Sequence, residues 1–129
     1  MWNVFLVGTG GGIGAVLRYG ISMGLKSVFP GYAAAGTLFV NVVGSLAIGY
    51  LLGTPHDQKS VSDSTRLFVA VGILGGLTTF SSLTHETVTL VSHHEGNIAA
   101  GLGHLTANVV LGLAAIWTGA WLGRGIVTT

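Results

Sequence analysis

Long apolar stretches alternate with short polar ones along this chain. Residues 2–25 are apolar except for Arg18, and residues 33–53 contain no charge at all. A third apolar stretch runs from 67 to about 91, and a fourth covers 98–122. A helix needs about 20 largely apolar residues to cross a bilayer, so the pattern predicts four transmembrane helices.

The polar connections between these stretches are short. Residues 26–32 contain the turn signal Pro30-Gly31, 54–65 form the most polar run, and 92–97 join the last two stretches. With no internal repeat, residues 1–129 are expected to form a single four-helix transmembrane domain. The N-terminal stretch has no basic start and no A-x-A site, so we expect it to be retained as a helix.

Composition supports an all-α membrane protein surrounded by a lipid bilayer. Only 7% of the 129 residues are charged, against roughly 25% in soluble domains. The chain has no cysteine, which excludes disulfides and thiolate metal sites. A formal net charge of +1 with scattered Lys and Arg gives no surface for nucleic acid.

The charges that orient a membrane protein are nearly balanced here. Lys59, Arg66 and Arg124 lie on the side of the termini, while Lys26 and Arg18 lie on the other. Three positive residues against two give only a weak preference under the positive-inside rule. The chain could therefore insert in both orientations.

Small residues recur at the spacing that lets helices pack closely in lipid. The segment 8–19, GTGGGIGAVLRY, also fits G-x-G-x-x-A, but a dinucleotide loop needs a preceding strand, so helix packing is favoured. We expect tight self-association of the helices. The G-x-x-x-G pairs are Gly8/Gly12, Gly10/Gly14, Gly20/Gly24, Gly49/Gly53, Gly72/Gly76 and Gly119/Gly123.

A polar cluster interrupts the third apolar stretch, which reads GLTTFSSLTHE from Gly76. Seven of the nine residues from Thr78 to Glu86 are polar. Non-helical backbone at membrane depth is tolerated only inside protein or beside a water-filled cavity, and the polar cluster predicts a break of this kind in the third helix. Such a break frees main-chain carbonyls, which suit a cation, and main-chain amides, which suit an anion. Glu86, the only acid within the spans, is either functional or a solvated residue near the helix end, and neighbouring His85 is interpreted as a vestibule residue.

Three further polar side chains lie within the spans. Asn41 lies deep in the second predicted span. Its amide either forms an interhelical hydrogen bond or donates a hydrogen bond to a passing ion. His104 and Asn108 are spaced i, i+4 on one face of the fourth, which favours pore lining over a core histidine. No Ser/His/Asp spacing or H-E-x-x-H motif is present, so we predict that the chain is not an enzyme.

Three segments together resemble the Fluc/CrcB family of fluoride channels: GGGIGAVLRY, GTLFVNVVGSLAIG and GILGGLTTFSS, which occur in the family's order. The resemblance covers nearly the whole chain. It implies passive, fluoride-selective export from the cytoplasm, and hence fluoride resistance, in the inner membrane of a prokaryote. It also implies an antiparallel, dual-topology homodimer with two pores.

The resemblance assigns roles to individual residues. Phe80 would point its positive ring edge at the anion, Arg18 would lie near a vestibule entrance, and the carbonyls of Gly75 and Thr78 would hold a structural sodium ion at the dimer interface. The ion pathway that it implies contains Thr37, Asn41, Phe80, Ser81, Leu83, Thr84, Glu86, His104 and Asn108.

One position departs from the family pattern. The family reads T-T-F-S-T-F-S where this chain has TTFSSLT, so Leu83 replaces a second phenylalanine. An alternative function is therefore the same scaffold with altered ion selectivity. A small proton-coupled cation exporter is a second candidate, although the first helix lacks the expected acid, and a membrane subunit without transport is a third.

Overall fold

The computed structural model describes residues 1–32, 34–54, 61–93 and 97–125. Four units in these ranges are long and apolar enough to cross a membrane, which confirms the four predicted spans. The predicted polar connections at 55–60 and 94–96 lie outside the described residues. The helices are α1 (Trp2–Val28), α2 (Ala35–Gly53), α3 (Asp63–Arg66), a π-helical segment (Leu67–Leu74), α4 (Gly75–Leu77), α5 (Phe80–His93) and α6 (Ile98–Gly125).

The third span is broken near its centre, as the polar cluster predicts. Thr78 and Thr79 separate α4 from α5, and Thr78 is extended with φ −76° and ψ 154°. The main-chain N and the hydroxyl of Thr78 both donate to the carbonyl of Leu74, each over 3.0 Å. These bonds satisfy a carbonyl at the end of the first half and close it off.

The sequence did not predict that the first half of this span is π-helical from Leu67 to Leu74. Hydrogen bonds between residues i and i+5 are rare and occur mostly in short segments, frequently at functional sites. The segment is uniformly apolar, so its residue pattern carries no signal that separates a π-helix from an α-helix. It leads directly into α4 and the break.

Glycine residues allow close backbone contact between two pairs of helices, α2 with α6 and α1 with the third span. A Cβ atom on Gly49 would strike the carbonyl of Ile116, and one on Gly119 would strike the carbonyl of Leu46, so α2 and α6 touch backbone to backbone. Gly10 and Gly14 of α1 meet the third span in the same way. By contrast, the pairs Gly8/Gly12 and Gly20/Gly24 meet nothing within 4 Å and face outward.

A small apolar cluster packs beside the break, and one arginine ties the start of the third span to the end of α2. Val40, Leu74 and Leu77 are buried together where α2 passes the break. Arg66 donates to the carbonyls of Leu51, at 2.8 Å, and Thr54, at 3.0 Å. The guanidinium thereby satisfies carbonyls that the end of α2 leaves unpaired.

We expect Gly119→Ala to destabilise the protein because its methyl group would force α2 and α6 apart. Overpacking of this kind costs about 1–3 kcal/mol. Gly103→Ala on the same helix is the matched control, since nothing lies within 4 Å of a Cβ there and alanine is the better helix former by up to about 1 kcal/mol. Thermal unfolding in detergent should show a lower Tm only for Gly119→Ala; equal Tm values would contradict the close α2–α6 contact.

Candidate functional site

Asn41 of α2 binds the main chain at the break through both ends of its amide group. Its Oδ1 accepts a hydrogen bond from the N–H of Thr79 over 2.8 Å, and its Nδ2 donates to the carbonyl of Thr79 over 3.1 Å. In a continuous α-helix the N–H of Thr79 would instead donate to the carbonyl of Gly75, four residues earlier. Asn41 therefore takes the place of the helix at this point.

The second amide hydrogen of Asn41 reaches α6. Nδ2 of Asn41 donates to Oδ1 of Asn108 over 2.9 Å, and Nδ2 of Asn108 donates to the carbonyl of His104 over 3.0 Å. Asn108 is only 5% exposed. The structure thus shows the interhelical bond that was one of two interpretations of Asn41, and it uses both of that amide's donors within the subunit.

Glu86 joins α5 to the same two helices. Its Oε1 accepts a 2.7 Å hydrogen bond from the hydroxyl of Thr37, which is 3% exposed. Its Oε2 lies 3.2 Å from Nε2 of His104, and neither atom has a well-oriented hydrogen-bond partner in the part of the chain that the structure describes. Glu86 is thus enclosed by α2 and α6 instead of standing alone at a helix end.

These contacts form one inner polar network. The network connects the main chain of the break to Glu86 of α5. The connection uses two residues of α2 and two residues of α6, and in each helix the two residues are one turn apart. The members of the inner polar network are Thr37, Asn41, Glu86, His104 and Asn108, with the main chain of Thr79.

Two other contacts support the break from α1 and α2. Nε of Arg18 donates to the carbonyl of Gly76 over 3.2 Å. This places a guanidinium at the carbonyl end of the first half of the span, where a positive charge is favourable. Gly44 faces the methyl group of Thr78 so closely that a Cβ atom would overlap it. The sequence did not reveal this contact between Arg18 and the end of α4.

The opposite face of α5 points out of the subunit. Phe80 is 73% exposed, Ser81 and His85 are also exposed, and Thr84 is partly so. An open groove of about 490 Å³ runs along this face. We call this face the outer stripe; it comprises Phe80, Ser81, Thr84, His85, Val88, Thr89 and Ser92.

The residues predicted to line one pathway therefore fall on two sides of α5. Phe80, Ser81 and Thr84 belong to the outer stripe, whereas the other polar members belong to the inner polar network. Leu83 is 4% exposed and lies on the inward side with Glu86, so it does not share the exposed face of Phe80. Positions 80 and 83 are three residues apart, a spacing that by itself places them on one side of a helix, so this division follows from packing against the other helices and not from residue spacing.

The chemistry of the site combines neutral donors with free main-chain oxygens. The described residues contain no group of three or more His, Asp or Glu that could hold a metal ion. A cation would therefore need main-chain carbonyls, and Gly75, which is exposed at the break, has lost the N–H of Thr79 as a partner. Hydroxyl groups and ring edges on the outer stripe suit an anion.

A family model and several individual proteins resemble this chain over nearly its whole length, and all of them point to the same family. Residues 5–120 match the family model described as "CrcB-like protein, Camphor Resistance (CrcB)". A protein of Clostridium novyi named "Fluoride-specific ion channel FluC" is 40% identical over 92% of this chain and 91% of its own length. Proteins of the same name from Roseiflexus sp. and Rhizobium meliloti are 42% and 38% identical, over 95% and 98% of this chain and 97% and 100% of their own lengths.

We expect Thr37→Val to destabilise the protein because it deprives the carboxylate of Glu86 of its only close hydroxyl donor among the described residues. Loss of such a bond costs about 1 kcal/mol. Thr106→Val, at an exposed position of α6, is the matched control and should change stability by less than about 0.5 kcal/mol. Chemical or thermal unfolding measures both; an unchanged stability of Thr37→Val would show that the Thr37–Glu86 bond is unimportant.

Proposed function

The chain belongs to the CrcB family, and from this membership we propose that it is a passive channel through which a bacterial cell exports cytoplasmic fluoride. The near full-length similarity to fluoride-specific channels carries this proposal. The family contains channels and not enzymes, and the four apolar helices agree with a multi-pass membrane protein. Fluoride that enters as neutral HF would leave as the ion.

The residues on α5 support an anion pathway physically. Fluoride is small and strongly hydrated, so removing its water is costly unless other donors replace the shell. The ring edge of Phe80 and the hydroxyl of Ser81 can do so, as can the hydroxyl of Thr84 once it rotates away from the carbonyls of Phe80 and Ser81 to which it donates in the structure. None of these is a fixed cation that would trap the ion, and conduction needs binding weak enough to release. We propose that the outer stripe carries the ion and that the inner polar network borders the path, so that the pathway still includes Leu83 as a wall residue.

We also propose that residues 1–129 form one four-helix domain that pairs with a second copy in antiparallel orientation. The outer stripe places Ser81, Thr84 and His85 on the surface of a membrane span, where lipid offers no hydrogen bonds. A second copy crossing at the break would cover them. The weak charge bias permits opposite insertion, and two-fold symmetry would then give two equivalent pores with Arg18 near their entrances.

A structural sodium ion at the centre of that dimer fits the oxygen donors at the break. The carbonyl of Gly75 is released from the N–H of Thr79, and Thr78 is extended, so its own carbonyl lies outside helical pairing. Two copies would supply four such oxygens, which are ligands that a hard cation accepts. The ion would hold two polar helix ends together inside the membrane.

The proposal predicts that bacteria lacking their own fluoride exporters tolerate more fluoride when they express this chain. Phe80→Leu should remove most of that protection, because an isobutyl group has no positive edge. Val4→Leu, at an exposed position of α1 outside the outer stripe, is the matched control and should protect like the wild type. Growth in graded sodium fluoride, with membrane levels checked by immunoblot, measures this; full protection by Phe80→Leu would contradict the role of the ring.

A further inference from the structure

The hydrogen bonds of Asn41 suggest a role that differs from donating to an ion. Both Nδ2 hydrogens are used within the subunit, by the carbonyl of Thr79 and by Asn108. Its Oδ1 is used as well, by the N–H of Thr79. In this arrangement Asn41 has no donor left for a passing anion.

What Asn41 does instead is set the conformation of the break. The N–H of Thr79 has two possible acceptors: the carbonyl of Gly75, which would continue the helix, and Oδ1 of Asn41, which it uses. Because Asn41 also donates to the carbonyl of Thr79, it binds both the N–H and the C=O group of that residue. This two-point contact fixes the orientation of Thr79 and leaves the carbonyl of Gly75 without that partner.

The surroundings of Asn41 make this contact specific. One turn further along α2, Gly44 leaves room for the methyl group of Thr78, and Val40, the neighbour of Asn41, is fully buried. Asn108, itself anchored on the carbonyl of His104, holds the amide from the other side. The side chain is thus fixed by packing and by a second amide of the same subunit.

We propose that Asn41 is the positioning residue of the helix break: it diverts the N–H of Thr79 from Gly75 and so keeps the carbonyls of Gly75 and Thr78 available to a cation. The inference rests on the sodium site of the proposed function. It assigns the contribution of Asn41 to the geometry of the main chain rather than to contact with fluoride.

Three variants separate these roles. Asn41→Leu removes both bonds to Thr79 at nearly the same volume. Asn41→Asp retains an oxygen that can accept from the N–H of Thr79 and serves as the conservative rescue. Asn108→Leu is the matched control, since it removes the partner of Asn41 on α6 while both hydrogen bonds between Asn41 and Thr79 can still form.

The first measurement is the backbone chemical shift of Thr78 and Thr79 in isotope-labelled protein. We expect extended-type ¹³C shifts at Thr78 in the wild type, Asn41→Asp and Asn108→Leu. In Asn41→Leu these shifts should move toward helical values, or the residues should exchange between two states. Wild-type shifts in Asn41→Leu would overturn the proposal. If Asn41→Leu does not fold, Asn41→Ser takes its place, because its hydroxyl is too short to reach Thr79.

The second measurement is the sodium concentration that half-maximally raises the Tm of the dimer, with N-methylglucamine chloride as the control salt. The midpoint should rise at least tenfold in Asn41→Leu, remain within about threefold in Asn108→Leu, and not rise in Asn41→Asp. Loss of fluoride efflux in Asn41→Leu with an unchanged midpoint would overturn the proposal and make Asn41 a direct ion ligand. No sodium effect in the wild type would instead refute the sodium site, and the shifts at Thr78 would still decide the role of Asn41.

Discussion

The pairing of main-chain hydrogen bonds inside a membrane is the constraint on which this structure depends. A backbone N–H or C=O group that faces lipid without a partner costs several kcal/mol, so a span can be broken only where protein groups or water replace the lost helical partners. Here the break at Thr78 and Thr79 is possible because Asn41 supplies one acceptor and one donor to Thr79. Arg18 adds a donor to the carbonyl of Gly76, and the hydroxyl of Thr78 satisfies Leu74.

Close packing of α2 against α6 allows polar side chains of both helices to reach the break and α5. The backbone contacts of Gly49 and Gly119 bring α2 and α6 together, and only then can Asn41 reach Asn108, and Thr37 and His104 enclose Glu86. The inner polar network is therefore a product of glycine positions that carry no chemistry of their own. The outer stripe of α5 stays exposed, and it is the surface that we propose meets the ion and a second copy of the chain.

Much of this arrangement could be predicted from sequence. Apolar length gave the four spans, and the density of hydroxyls after Gly76 indicated the break. The i, i+4 spacing of His104 and Asn108 placed them on one face, as the structure has them. These predictions succeed because each depends on local periodicity or on the cost of polar groups in lipid.

The remaining features depend on contacts between distant residues. Nothing in an apolar run reveals that 67–74 is π-helical, and the pairing of Asn41 with Thr79 requires knowledge of how α2 crosses the third span. Phe80 and Leu83, three residues apart on α5, likewise differ in exposure because of packing, with Phe80 pointing outward and Leu83 inward. Leu83, where the resemblance implies a second phenylalanine, is therefore not part of the exposed face that presents Phe80.

The most direct test of a passive fluoride channel is ion efflux from liposomes that contain the purified protein, followed with a fluoride electrode and, in parallel, a chloride electrode. With potassium salts inside, the account predicts rapid fluoride efflux that starts when valinomycin lets potassium follow, and no chloride efflux above that of empty liposomes. Absence of fluoride efflux from folded dimers would contradict the channel assignment. Fluoride and chloride leaving at similar rates would contradict the selectivity, and fluoride efflux that needs a proton gradient instead of valinomycin would contradict passive conduction.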